Sequence, residues 1–258
     1  MTALPTAPLL VELLTEELPP KALARLSDAF AAGLRERLAA AGLIDEHAQV
    51  APFATPRRLA VHIDRVLARA PDRTLREKLL PVSVAFDAQG QPTAPLRKKL
   101  AALGLADVPI DTLELERAPD GKADAVFMSR RLPGATLADA LQRALEDTLA
   151  KLPIPKTMSY QLADGATVRF VRPAHRLVAL LGDTVLDVTV LGLQAGRITQ
   201  GHRFLSEGDL PIAHADDYVA TLRGAGKVLA NRLERREAIR AQLAQAAGDD
   251  QVLAPDAL

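Results

Sequence analysis

The stretch Thr15-Glu16-Glu17-Leu18-Pro19-Pro20 sets two carboxylates directly before two prolines. Paired carboxylates can act as general acid and general base, but neighbouring residues rarely converge on one substrate atom. They also suit the positive end of a helix dipole, where a carboxylate is worth ~0.3–1 kcal/mol. Glu16 and Glu17 are therefore candidates for a helix start or for contact with a cation on a partner. Thr55-Pro56-Arg57-Arg58 presents two guanidiniums on a proline-fixed turn, a good way to offer bidentate donors to phosphate or carboxylate. Adjacent strand residues point to opposite faces, so at most one of Arg57 and Arg58 meets a given ligand. Arg172 and His175 in FVRPAHR, and Arg197, His202 and Arg203 in GRITQGHRF, again mix guanidinium with imidazole. From Lys156 to Arg203 the chain carries six Lys or Arg against three Asp or Glu. Such a local excess can track a backbone of phosphates, and it can equally be the wet face of β-hairpins.

Other chemistries are excluded or unsupported. His175 and His202 lack the close spacing or neighbouring Cys of a zinc motif, and no metal site is expected. A chain without cysteine has no disulfide, thiolate ligand or Cys nucleophile, which fits a reducing cytoplasm. Neither a P-loop nor a G-x-G-x-x-G fingerprint occurs, so no ATP site or other cofactor is expected on this chain. Lys plus Arg equals Asp plus Glu at 32 each, so the whole-chain field favours no polyanion. With no Trp, two Tyr and six Phe, the composition weighs against an extended base-stacking platform. The N-terminus lacks a basic segment followed by a long apolar run, and no stretch reaches the roughly 18–20 apolar residues of a membrane span. The expected location is the cytoplasm, with no membrane contact.

The elements that position these residues are legible in part. With 48% hydrophobic residues in 258, the chain can fill a core built from Leu, Val, Ile and Ala. PLLVELL, residues 8–14, reads as a short buried strand. Pro19-Pro20 then opens a helix with Leu23, Leu26, Phe30, Leu34 and Leu38 on one face, closed by Gly42. QVAPFATPRRLAVHIDRV reads as two strands around the TPRR turn, with Leu59, Val61 and Ile63 inward and His62 and Asp64 outward. LELER and AVFMSRRL should pair across the Asp120-Gly121 turn. Thr136 and Asp139 have the form of a capping box before Leu137, Leu141, Leu145 and Leu149. LPIPKT breaks that helix and marks a subdomain junction. The segment beyond it is β-rich, with a tight turn at Gly182-Asp183, and helices follow at about 214–224 and from Asn231. The expectation is an α+β protein of mixed or antiparallel sheets with packed helices. Its expected parts are an N-terminal α+β subdomain at 1–152, a β-rich subdomain at 153–212 and a helical segment at 213–258.

Seven blocks carry a resemblance: LVELLTEELPPKAL, FATPRRLAV, AFDAQGQPT, KLPIPKTM, FVRPAHRLVALLGD, GRITQGHRF and ADDYVATLRGAGKVLANRLERR. In that order and at similar intervals they resemble the N-terminal part of the bacterial glycyl-tRNA synthetase β subunit. One departure is Leu13-Leu14, where the family usually has Ile-Gly. The resemblance implies an α₂β₂ ligase that attaches glycine to tRNA(Gly). In that enzyme the α subunit binds ATP with Mg and glycine and performs the chemistry, while the β subunit supports tRNA binding and assembly. It also implies further C-terminal domains beyond this segment. The partners implied are the α subunit, tRNA(Gly) and a second β subunit. On this reading Arg57, Arg58, Lys156, Arg172, His175, Arg197, His202 and Arg203 are candidate RNA or subunit contacts, with no catalytic residue on this chain. Two alternatives are a hydrolytic editing module for mischarged tRNA, with His175 or His202 as base, and a purely structural docking body.

Overall fold

The computed structural model describes residues 4–105, 107–116, 124–248 and 250. Strand β1 (Thr6–Thr15) is the predicted apolar run, slightly extended at both ends. Alternation sends Leu9, Val11 and Leu13 to one core and Leu10, with Glu12 and Leu14 beside it, to the opposite face, and all six are buried. Helix α1 (Pro20–Ala40) follows, with its apolar face buried as the spacing predicts. Gly42 lies just past its end at φ +74°, the left-handed conformation that ends many helices. Strands β2 (Val50–Thr55) and β3 (Arg58–Leu67) form the expected hairpin, with Thr55 opposite Arg58. Leu59, Val61 and Ile63 point inward as predicted, but Ala60 is also buried because the second face of the sheet is covered too.

The chain leaves this unit at Ala70 and re-enters it at Ala135, whose carbonyl accepts from the Ala70 N–H at 3.0 Å. Between them Pro71–Gly134 forms a second compact unit. It contains strand β4 (Arg73–Pro81), the helical turn α2 (Val82–Ala85), helix α3 (Ala94–Ala102), and strands β5 (Glu114–Glu116) and β6 (Ala125–Leu132). The antiparallel order is β4-β6-β5, over a separate core that includes Leu79, Leu96, Leu100, Val126 and Met128. The Asp120-Gly121 turn lies outside the described residues.

Helix α4 (Leu137–Lys151) is capped by Thr136, whose hydroxyl oxygen accepts from the Asp139 N–H at 3.2 Å and donates to the Asp139 carboxylate at 2.6 Å. It packs on α1 so closely that a Cβ added to Gly33 would lie 2.7 Å from Thr148 Cγ2. The Thr148 hydroxyl is sealed in this contact without a hydrogen-bond partner. Thr148→Val removes that desolvated group at nearly constant shape and should raise stability by about 1 kcal/mol. Urea unfolding reads the change directly, and a lower midpoint for the variant would count against it.

The remaining strands are β7 (Met158–Gln161), β8 (Thr167–Phe170), β9 (Ala174–Leu181), β10 (Thr184–Val185), β11 (Thr189–Val190), β12 (Leu193–Gly196), β13 (Ile198–Gln200) and β14 (Asp209–Pro211). The main sheet runs β11-β12-β9-β1-β3-β2, with β10 beside β9 through the predicted turn, where Gly182 has φ +59°. β12 lies parallel to β9 and its neighbours pair antiparallel, so the sheet is mixed. Helices α1 and α4 cover one face. Ile212, Tyr218 and Leu222, the last two from helix α5 (Tyr218–Arg223), cover part of the other. Helix α6 (Arg232–Ala247) starts at Asn231, whose side-chain oxygen accepts from the N–H groups of Leu233 and Glu234 at 2.9 and 3.2 Å, and it buries no residue. The fold is α+β, mixed sheets with packed helices and a helical C-terminal stretch, as the sequence predicts.

The compact units are Met1–Ala70 with Ala135–Leu258, and Pro71–Gly134, which differs from the expected divisions at 152 and 212. The reason is strand pairing: β9 lies directly against β1, so segments far apart in sequence share one core. LPIPKT does end α4, but it stays inside the larger unit. Among the described residues no helix is long and apolar enough to cross a membrane.

Candidate nucleic-acid interface

The site begins with a charge inside the apolar strand. Glu12 of β1 is fully buried, and the surrounding elements satisfy it completely. Arg58 Nη1 of β3 donates to it at 3.1 Å, the Tyr218 hydroxyl of α5 donates at 2.5 Å, and the Thr199 hydroxyl of β13 donates to its other oxygen. Burial pushes the Tyr218 hydroxyl well above its ordinary pKa, and the Glu12 charge adds to the effect, so Tyr218 is a neutral donor. Burial works against the Arg58 charge, but Glu12 outweighs it and the pKa ends raised. Arg58 also donates to Thr55 Oγ1 at 3.2 Å and to the Gln200 carbonyl at 2.6 Å. This network fastens the end of β13 to the sheet, immediately before Gly201-His202-Arg203-Phe204.

The loop that follows is held by a second device. His202 N–H donates to the Gly226 carbonyl at 2.7 Å, joining the 201–208 loop to the loop between α5 and α6. At the junction the backbones approach so closely that a Cβ on Gly201 would lie 2.5 Å from both Gly226 Cα and Gly226 O. Only glycine fits there. Gly226 is followed by Lys227 at φ +53°, a conformation that side-chain-bearing residues rarely adopt. Strain of this kind concentrates at binding sites.

The 201–208 loop helps to wall a cavity of about 360 Å³ that brings Glu16, Arg57, Arg58, His202 and Arg203 together with Leu14, Ser206 and Asp209. An adjoining cavity of about 530 Å³ shares Arg57, Arg58, His202 and Arg203 and adds Glu17, Phe204, Lys227 and Arg235. The second cavity thus carries five Lys or Arg against one carboxylate, a field suited to an anionic ligand. Their availability differs. Arg58 is internal to the fold. Arg235 donates to the carbonyls of Leu229 and Ala54 at 2.6 and 2.9 Å, and burial, with Arg232 nearby, lowers its pKa. Arg57 is half-buried and donates to Glu16 at 3.3 Å. His202, Arg203 and Lys227 are exposed, and among the described residues the Arg203 and Lys227 side chains form no ion pair or hydrogen bond.

Glu16 does not cap α1. The helix begins at Pro20, with Pro19 at the N-cap position and no side-chain cap, because backbone bonds from Thr15 to Arg57 and from Glu16 to Pro173 fix the turn and throw the Glu16 carboxylate toward β9. There His175 Nε2 lies 2.9 Å from it. The His175 hydrogen bond, followed by Arg57 and Arg203, holds the Glu16 carboxyl below the usual carboxylate range. Glu17 is exposed, and its contribution is a backbone carbonyl that accepts from Arg172 at 2.9 Å. Arg197 directs its guanidinium to the carbonyls of Asp183, Ala213 and Ile212. Arg172 and Arg197 therefore tie loops together, and with Lys156, which is exposed, they line neither cavity.

Sequence reasoning missed Glu12, Thr199 and Tyr218, whose only signal was a lone charge inside PLLVELL. It also missed Lys227, Arg235 and Phe204. The signal available for Lys227 was its place after the glycines of RGAGK. Among the described residues no group of three or more His, Asp or Glu could hold a metal ion.

A family model described as glycyl-tRNA synthetase beta subunit matches residues 9–258. The glycine–tRNA ligase beta subunit of Ralstonia nicotianae is 60% identical over 253 residues, covering 97% of this chain and 36% of that protein. That of Leptothrix cholodnii is 56% identical over 243 residues, with 93% and 34% covered. That of Thiobacillus denitrificans is 52% identical over 244 residues, with 94% and 34% covered. The chain spans about a third of the length of these curated relatives and matches their N-terminal part. With almost its full length matched, the chain belongs to the glycyl-tRNA synthetase beta subunit family.

Proposed function

We propose that this chain is the part of a cytoplasmic glycine–tRNA ligase that grips tRNA(Gly) and joins the α subunit, while the α subunit binds ATP with Mg and glycine and forms the ester bond. The assembled enzyme is an α₂β₂ tetramer. The observation that carries the reading is the cavity pair at the 201–208 loop, the larger of the two also walled by Lys227, Val228 and Leu229, with exposed His202, Arg203 and Lys227 on glycine-locked backbone. Arg203 and Lys227, fixed in position and without an ion pair among the described residues, suit repeated phosphates better than a neutral substrate. The Glu12 network supports the same reading by holding these cations on the sheet rather than on a mobile tail. The beta-subunit name of the relatives implies an α partner for those proteins.

The test is filter binding of tRNA(Gly) to the full chain across a salt series. With about three phosphates neutralised, affinity should fall about 20- to 60-fold between 50 and 200 mM salt. Arg203→Ala and Lys227→Ala should each flatten the log–log slope by about one. Affinity that ignores salt, or slopes unchanged in both variants, would remove this surface from tRNA binding.

A further inference from the structure

Phosphate contacts leave Phe204 unexplained. The residue is 82% exposed and its neighbour Leu205 is 65% exposed. The other five Phe and both Tyr are buried or half-buried. In a chain so poor in aromatic rings, one held in water is informative, because burial is strongly favoured for a phenyl group.

The exposure is built into the backbone. Phe204 N–H donates to His202 Nδ1 at 3.2 Å, and the N–H groups of Leu205 and Ser206 donate to the His202 carbonyl at 3.3 and 3.0 Å. His202 is itself tied to Gly226. The turn therefore carries Phe204 outward at the mouth of the larger cavity, which it helps to line. The ring has near it two groups that stack well on planar partners. The His202 ring centroid is 6.2 Å away and the Arg203 guanidinium carbon is 5.7 Å from the phenyl centroid. An exposed aromatic face beside a cation-lined cavity is the composition of sites for unpaired nucleotides, where the ring stacks on a base and cations hold the flanking phosphates. A protein partner would use the apolar pair but not the surplus of positive charge behind it.

We infer that Phe204 is a stacking platform for an unpaired nucleobase of RNA, with Arg203 and Lys227 on the flanking phosphates. This rests on the RNA-holding reading above and narrows it to a single-stranded part of the ligand.

The probe is a single-stranded RNA of about 12 nucleotides, within the span of single-strand sites, carrying one 2-aminopurine. The same RNA annealed into a duplex is the comparison, and both are titrated into the full chain. Phe204→Ala and Phe204→Leu should weaken single-strand binding about 5- to 150-fold, the usual loss for one stacked base. Both should also abolish the change in 2-aminopurine fluorescence that accompanies binding of the parent chain. Phe204→Trp should keep both properties, and duplex affinity should be unchanged in all three. If Phe204→Leu binds the single strand like the parent while parental binding remains salt-dependent, the stacking role is wrong and the RNA-holding reading stands. If the parent binds neither RNA, both fall. If the variants keep RNA affinity but lose capture by the α subunit, Phe204 is a protein contact and the inference is overturned.

Discussion

Glu12→Gln should lower the unfolding free energy by about 3–5 kcal/mol, the usual result of leaving one member of a buried ion pair without its counter-charge. The substitution keeps size and shape, so the loss is electrostatic. Arg58 remains charged, its side chain is 3% exposed, and among the described residues it forms no ion pair besides the one with Glu12. Tyr218 and Thr199 lose their charged acceptor in the same step, and charge-assisted bonds are about twice as strong as neutral ones. Urea or thermal unfolding of the full chain measures the effect. The double variant Glu12→Gln/Arg58→Met should recover much of it, because removing both charges is far less costly than removing one. A drop below about 1 kcal/mol for the single variant would mean that solvent reaches the pair.

Gly201→Ala should leave the sheet folded and destroy the surface. The new Cβ would sit 2.5 Å from Gly226 Cα and Gly226 O, backbone atoms that cannot swing aside as a flexible side chain can. Relief requires the two loops to part, which breaks the bond from His202 N–H to Gly226 O. Overpacking of this kind costs about 1–3 kcal/mol. The larger effect is positional: Arg203 and Lys227 ride on the two loops, and tRNA affinity should fall at least about 10-fold once they separate. Gly196→Ala is the control, since its added Cβ meets nothing within 4 Å. Equal tRNA binding by the two variants would show that loop registry does not matter.

The legible parts of the fold were those with local periodicity. Leu23, Leu26, Phe30, Leu34 and Leu38 announced α1, Thr136 announced the start of α4, and Leu59, Val61 and Ile63 announced β3. β4 was missed because its outward residues include Arg73, Arg76 and Lys78, so little apolar alternation remains to read. The separate unit at 71–134 went unrecognised because its boundary is set by the pairing of β1 with β9, a contact no short window contains. The same limit governs the site. The helix-start reading of Glu16 follows a sound local rule, yet His175, 159 positions away, takes the carboxylate. Arg57, Arg58, His202 and Arg203 were recognisable by type and do converge. Which of them is free was not readable, because the acceptors that occupy Arg58 come from β1, β2 and β13 together.

The place of β1 in the sheet has a consequence for synthesis on the ribosome. As the nascent chain emerges, β1 can pair at once with β3, but its other edge must wait for β9, more than 150 residues later. Through that interval an apolar strand edge stands unprotected while Pro71–Gly134, which has a hydrophobic core of its own, is free to collapse first. The growing polypeptide is most prone to mispairing in this window, which closes only when β9 has emerged and covered the second edge of β1.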